Sequence, residues 1–345
     1  YRTLHYPYPT TTPPNGRADV LTLCRALTFF NPGVISVPLD DEGRPRLKLA
    51  MLSAANGGLA ARAHSAIGDA EAMLDLCRLI AERDDESWSR FLQFAPKKAT
   101  EALIDRWEPF GIVRFRGNEP RATAATKLCN GRDGNIRICV DLTCDLDWLA
   151  DQNDEAIKAM ANDPTSPVIR VRTNACPAVC ELWDLPETAR AGFDDAECER
   201  RTARIAEDPR LSARLAPLVV AAEPTYATNE HVEGQLYGGN FLPADDYPHL
   251  REFHAADWSE RAAILQKMSD PRWRRLGKRL IYLEAPHCLD PGLRRQIDEA
   301  LSHRRRVSQD GHPWTTFPGA IAKLQELGDE CPSGLREEFF RLASI

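Results

Sequence analysis

The stretch His64-Ser65-Ala66-Ile67-Gly68-Asp69 sets an imidazole five residues before a carboxylate. On one ideal helix the two side chains would stand about 140° apart. They converge only if His64 lies on a preceding loop and Asp69 in the first turns of a helix. So arranged, Asp69 is a hard oxygen ligand suited to Mg²⁺, and His64 is a base for a proton of water. The alternative is a helix-capping region with a surface histidine. A second group has the residue types that single-strand binders use, cations for phosphate and aromatic faces for bases. Lys48 follows a turn, Arg25 lies on the first helix, and Asn174 ends a basic strand. Tyr237 sits in Gln235-Leu236-Tyr237-Gly238-Gly239, where glycines admit a strand close to the backbone. Each alone also reads as a solvated surface residue or a half-buried tyrosine. The clusters Arg272-Trp273-Arg274-Arg275 and His303-Arg304-Arg305-Arg306 are either phosphate contacts or solvated helix faces. Neither GxxxxGK[ST] nor GxSxG occurs, which removes support for a P-loop or a hydrolase elbow.

The elements that must position these groups belong to a globular chain of 345 residues, 43% hydrophobic and 28% charged. At ~100–200 residues per domain, two or three domains are expected. The net charge of −7 argues against a uniformly basic DNA-coating protein and leaves room for a basic groove on an acidic body. The sequence has no run of eighteen apolar residues, so no membrane-spanning helix is expected. Ten cysteines without a CxxC pair read as reduced, mostly buried thiols of a cytoplasmic protein. The first residue is Tyr1, with no signal peptide and no initiator Met, and the expectation is a chain that begins partway through a longer one.

Asp19 is placed to cap a helix carrying Val20, Leu23, Cys24 and Leu27, stopped at Asn31-Pro32-Gly33. A turn over 39–45 precedes Leu47, Leu49 and Leu52. The spacing over 65–83 predicts a helix with Ile67, Ala70, Met73, Leu74, Cys77 and Ile80 as one apolar stripe. Strands are predicted at 112–115, 136–141 and 168–172. The alternation of apolar and basic residues in the last two predicts one buried and one wet face. Helices are predicted at 145–160 and 196–215, then, beyond a boundary near Glu223-Pro224, at 257–269, 291–304 and 317–327.

Seven segments taken in order carry a resemblance. They are Asn15-Gly16-Arg17-Ala18-Asp19, Asp40-Asp41-Glu42-Gly43 with Leu47-Lys48-Leu49, Ala55-Asn56-Gly57, His64 through Asp69, Asn174-Ala175-Cys176-Pro177, Ala222-Glu223-Pro224 and Gln235-Leu236-Tyr237. Together they resemble the exonuclease I family, bacterial 3′→5′ single-strand DNases of the DEDDh superfamily. The resemblance implies a mixed architecture, α/β plus β-barrel plus α. Residues 1–85 would be the C-terminal part of a ribonuclease H-like exonuclease domain, 86–222 an SH3-like barrel, and 223–345 a helical domain, clamped over single-stranded DNA. It implies two Mg²⁺ ions, with His64 as general base and Asp69 as the last metal-binding aspartate. Lys48 would contact substrate, and Tyr8, Arg25, Lys97, Asn135, Asn174 and Tyr237 would line the DNA path. It further implies release of 5′-mononucleotides, a role in DNA repair and recombination, a monomer, and a single-stranded-DNA-binding protein as partner through its acidic tail.

The family needs four carboxylates, two of them from an Asp-x-Glu on a strand ahead of the region matched here. The triplets at Asp40–Glu42, Asp69–Glu71 and Asp195–Glu197 do not lie on such a strand. One carboxylate does not hold two Mg²⁺ ions. The expectation is an N-terminally truncated chain with little or no nuclease activity, whose residues 1–80 leave a sheet edge and an apolar face uncovered. The alternatives are a non-catalytic single-strand DNA-binding module, or an RNA-trimming or proofreading exonuclease, which gives the C-terminal domains no role.

Overall fold

The computed structural model describes residues 16–58, 66–116, 119–225, 231–235, 242–307, 315–328 and 333–343. The chain divides into two compact units that part between Thr225 and Tyr226.

The first unit opens on α1 (Val20–Phe30), capped as expected by Asp19, whose side chain accepts from the Leu21 N–H, and stopped at Asn31. With α2 (Leu49–Ala55), α3 (Ala66–Arg83) and α4 (Asp85–Phe94) it forms a helical core of Leu23, Leu27, Leu52, Leu76 and Ile80. The stripe expected on α3 does not hold together. Leu76 and Ile80, one turn apart, face that core, but Ile67 is 68% exposed, Met73 43% and Leu74 49%. Ile67 and Leu74 lie on the side of the helix turned away from Leu76 and Ile80, and Met73 lies at the rim of the core face.

After α5 (Lys97–Ile104) come β1 (Phe110–Arg116), β2 (Glu119–Asn130), β3 (Ile136–Asp141), β4 (Val168–Arg172) and β5 (Ala178–Glu181). They form one antiparallel sheet in the order β4-β3-β2-β1-β5. The expected barrel is not closed among the described residues. The edge strands β4 and β5 are joined by the short link 173–177, and a cleft of about 410 Å³ separates β4 from β1 and β5. The wet face expected on β3 is absent too, since all six of its residues are buried. One side of the sheet (Ala122, Ala124, Ile136, Ile138, Val140) packs on Leu146, Leu149, Ile157, Ile205, Leu215 and Val219. The other side (Ile112, Ala125, Cys139, Ile169, Val171, Val179) closes on Phe94, Leu103 and Ile104. Burying one such aliphatic side chain is worth roughly 1.5–3 kcal/mol, so the two layers outweigh the polar cost of covering both faces.

Two predicted helices depart from their expected spans. The first is broken into α6 (Leu146–Asp151) and α7 (Asp154–Met160), because the Asn153 side chain accepts from the Ala156 N–H and starts a new helix. The second ends early, as α8 (Asp195–Glu207), and a separate helix α9 (Leu215–Ala221) begins where the prediction stops. Asp208, extended at ψ 113°, precedes Pro209, which disfavours helix at that position.

A buried ion pair ties the sheet across its middle. Arg114 Nη2 donates to Asp141 Oδ2 at 2.8 Å and Nη1 to the Ser166 carbonyl at 2.6 Å. The other Asp141 oxygen accepts from the Thr143 N–H (2.9 Å), the Thr143 hydroxyl (2.7 Å) and the Thr123 hydroxyl. Burial lowers the Arg114 pKa, and the neighbouring Asp141 charge opposes that shift.

The second unit contains α10 (Asp246–Ala255), α11 (Trp258–Lys267), α12 (Pro271–Glu284), α13 (Pro291–Arg306), α14 (Phe317–Leu327) and α15 (Ser333–Ala343). Leu250, Phe253, Ile264, Leu265, Leu280 and Ile281 are its core. α11 and α12 approach so closely that a Cβ at Gly277 would stand 2.3 Å from Leu265. Buried Asp246 accepts the Ser269 and Asp270 N–H groups, and Asp270 caps α12 at Arg272. No helix among the described residues is long and apolar enough to cross a membrane.

Asp141→Ala leaves the Arg114 guanidinium buried without its carboxylate, and the expected loss of stability is about 3–5 kcal/mol. Urea unfolding measures it; a loss under 1 kcal/mol would show that the pair is not a main tie of the sheet.

Candidate functional site

α5 is short, yet three of its residues repeat every fourth position on one face: Lys97, Glu101 and Asp105, the last being its C-cap. That face lies over the basic residues of β2 and β3. Asp105 Oδ1 accepts from Lys127 Nζ at 2.7 Å and from Arg137 Nε at 2.8 Å, and Oδ2 accepts from Arg137 Nη2 at 3.0 Å. Glu101 takes Arg137 Nη2 at 3.0 Å and the Thr173 hydroxyl at 3.3 Å. A bulge between Lys127 and Cys129 shifts the register where Lys127 passes beneath α5. The Arg137 hydrogen bond is the main cause that holds the Asp105 carboxyl below its usual range. Burial opposes the shift and Lys127 adds to it. The same hydrogen bond raises the Arg137 pKa.

At the other end of α5, Lys97 Nζ donates to Asn135 Oδ1 at 2.7 Å and pairs with Glu101 at 3.6 Å. The Asn135 Nδ2 donates a hydrogen bond to Asp133 Oδ1 at 2.8 Å, and the Asn135 backbone carbonyl accepts the Thr173 N–H at 2.8 Å. Exposed Asn174 is the next residue. Three of the residues expected on the nucleic-acid path, Lys97, Asn135 and Asn174, are thus brought to one place. Arg25 is elsewhere on α1, its guanidinium 5.5 Å from the Phe115 ring centroid. Lys48 is exposed at the start of α2, and Asp69 is exposed in the first turn of α3. His64, Tyr8 and Tyr237 lie outside the described residues.

Glu101, Asp105, Lys127 and Arg137 escaped the sequence reading. The fourfold spacing of 97, 101 and 105 was a signal for the first two. Arg137, expected on a wet face, is buried beneath α5, and Lys127 lies on β2, a strand that the sequence pattern does not mark. Of the arginine clusters, Arg272 is engaged by Asp270 at 2.6 Å, and Arg304, Arg305 and Arg306 fall in the last turn of α13, where the helix dipole favours cations. The nine cysteines among the described residues are free thiols. Burial pushes Cys24, Cys144 and Cys180 up to about 12, so they stay protonated and unreactive at neutral pH.

The described residues do not by themselves fit a pair of Mg²⁺ ions. Asp69 stands exposed, and no group of three or more His, Cys, Asp or Glu side chains among the described residues is placed to hold a metal.

No family model matches the chain. It is 29% identical to exodeoxyribonuclease I of Haemophilus influenzae over 250 residues, and 27% identical to that of Escherichia coli over 248. Each alignment covers 67% of this chain and 52% of the relative, so the chain spans about half the length of the relatives it matches. Its fold is similar to exonuclease I from Methylocaldum szegediense (TM-score 0.77, 22% identity, 99% of this chain and 75% of the other). It is also similar to the zinc-bound E. coli enzyme with single-stranded DNA (0.72, 22%, 100% and 74%), and to an exonuclease I complex with the C-terminal peptide SSB-Ct (0.69, 22%, 96% and 70%).

Asp105→Asn should destabilise the protein at pH 7, because Lys127 and Arg137 lose their anion. The folded carboxyl titrates below its unfolded value of about 3.9, so its contribution is present above about pH 4 and is lost as pH falls through the lower folded value. The gap between variant and wild type in urea midpoint should therefore shrink between pH 7 and pH 3. An unchanged gap would place the effect outside this ionisation.

Proposed function

We propose, on the footing that this chain is a homologue of exodeoxyribonuclease I, that it forms the strand-holding part of a 3′→5′ exonuclease acting on single-stranded DNA. What supports the reading is the meeting of Lys97, Asn135 and Asn174 beside the α5 face, in a fold similar to solved exonuclease I structures. Lys97 offers its charge to a phosphate, and the two asparagines offer amide donors and acceptors that do not depend on base sequence. The open sheet takes the place of the SH3-like barrel, and the helices after 225 take that of the C-terminal domain.

In the intact enzyme His64 would take the proton of the attacking water, Asp69 would be one of the carboxylates holding the Mg²⁺ ions, which would supply charge stabilisation at the phosphate, and Lys48 would contact the substrate. The products are 5′-mononucleotides, in DNA repair and recombination. At least three further carboxylates must join Asp69 for this chemistry. A single-stranded-DNA-binding protein is the partner proposed, through its acidic tail, and the enzyme acts as a cytoplasmic monomer. A second reading, a non-catalytic single-strand DNA-binding module, is favoured by one observation, the lack of a metal-holding cluster among the described residues.

The 345-residue chain should bind a labelled oligo-dT with an affinity that falls as salt rises, and Lys97→Ala should weaken binding at every salt concentration. With Mg²⁺ the chain alone should release little or no mononucleotide. In any preparation that does hydrolyse single-stranded DNA, His64→Ala should lower the rate by about 10²–10⁴-fold with binding within twofold. Failure of the chain to bind at low salt overturns the reading. Hydrolysis unaffected by His64→Ala overturns its catalytic part.

A further inference from the structure

Trp107 lies between α5 and β1 with φ +61°, a left-handed backbone that a bulky residue rarely adopts. Its side chain is 51% exposed, so burial does not account for a large aromatic held at that position. One side of the indole is covered by a charge. Lys127 Nζ stands 4.7 Å from the ring centroid, while Lys127 itself is only 7% exposed and is fixed by Asp105 at 2.7 Å. A desolvated ammonium against the π-face is a favourable contact and orients the ring. A Gly would relieve the backbone strain at that position, and a Leu or Met, as strained as the Trp, would cover the ammonium without offering an aromatic face. Strain held at an exposed aromatic points to a use for the ring itself.

The ring stands at one end of a continuous polar ladder. Lys97 pairs with Glu101, Glu101 with Arg137, Arg137 with Asp105 and Asp105 with Lys127, beneath Trp107. Eight residues of helix separate Lys97 from Asp105, about 12 Å along the axis. A strand whose phosphate is held at Lys97 therefore has an aromatic surface within a few nucleotides, and base–aromatic stacking suits any sequence because every base has a π-face.

We propose that Trp107 is a stacking platform for a base of single-stranded nucleic acid held at Lys97 and Asn135. The proposal rests on the nucleic-acid reading given above, and the test separates the two. Binding of fluorescein-labelled oligo-dT to the full chain is measured by anisotropy for wild type, Trp107→Ala, Trp107→Gly, Trp107→Phe and Lys97→Ala. Glycine adopts positive φ without strain, so Trp107→Gly removes the ring while keeping the backbone, and thermal unfolding checks that the fold is retained. Loss of one stacked base corresponds to about 5- to 150-fold in affinity. The Ala and Gly variants should show that loss, and Trp107→Phe should stay within about threefold of wild type. An oligonucleotide with one abasic site at the stacked position should bind wild type as weakly as the intact strand binds Trp107→Ala, with no further loss in the variant. If Trp107→Ala and Trp107→Gly bind within twofold of wild type while Lys97→Ala weakens binding, the platform is refuted and the nucleic-acid reading stands. If Lys97→Ala also changes nothing, both fall.

Discussion

Asp105 holds two cations from neighbouring strands with one carboxylate, and the surface around α5 depends on it. Lys127 and Arg137 both point from the sheet toward the helix. Left unpaired, buried charges would cost several kcal/mol each, and the sheet would favour turning them to water. With Asp105 and Glu101 above them they become the glue between α5 and the sheet. The grip extends in both directions. Arg137 Nη1 also donates to the Gly134 carbonyl at 2.9 Å, which steadies the turn carrying Asn135. Lys127 supports the Trp107 ring. A single acid thus links helix packing to the placement of the residues that would meet a nucleic acid.

The alternation Ile136-Arg137-Ile138 announced a strand correctly and its environment wrongly. Period-two alternation says which side chains share a face, and it does not say what covers that face. Here the covering element is α5, 30 to 40 residues earlier, and no local pattern records that distance. β2 was missed for a different reason. Its Ala122-Thr123-Ala124-Ala125-Thr126 run has neither the β-branched aliphatic residues nor the aromatics that mark a strand. Small side chains fit there because the strand is central, with helices close on both faces. By contrast α1, α11, α13 and α14 were readable, since caps and helical spacing are local signals. The site followed the same division. Lys97 and Asn135 were legible only through family resemblance, whereas Asn174 also stood out at the end of a basic strand. The acids and cations that position them were not legible, because each pairing joins residues 22 to 36 positions apart.

α3 carries the other half of the functional argument. Its first turn bears Asp69, and Ile67 and Leu74, on the side turned away from Leu76 and Ile80, are exposed. The surface beside α5 that is proposed to hold the strand is different. Its packing is complete within the first unit, fixed by backbone pairing and by charges already in contact. Under the proposed reading, binding and hydrolysis make separate demands, and the residues proposed for binding are already held by these contacts.

Photochemical cross-linking of oligonucleotides carrying 5-iododeoxyuridine to the 345-residue chain, followed by peptide mapping, tests the placement of the strand most directly. The account predicts cross-linked peptides that contain Trp107 and the segments around Lys97, Asn135 and Asn174, with yields that drop as salt rises. Cross-links confined to the helices after residue 225, or yields indifferent to salt, would contradict it.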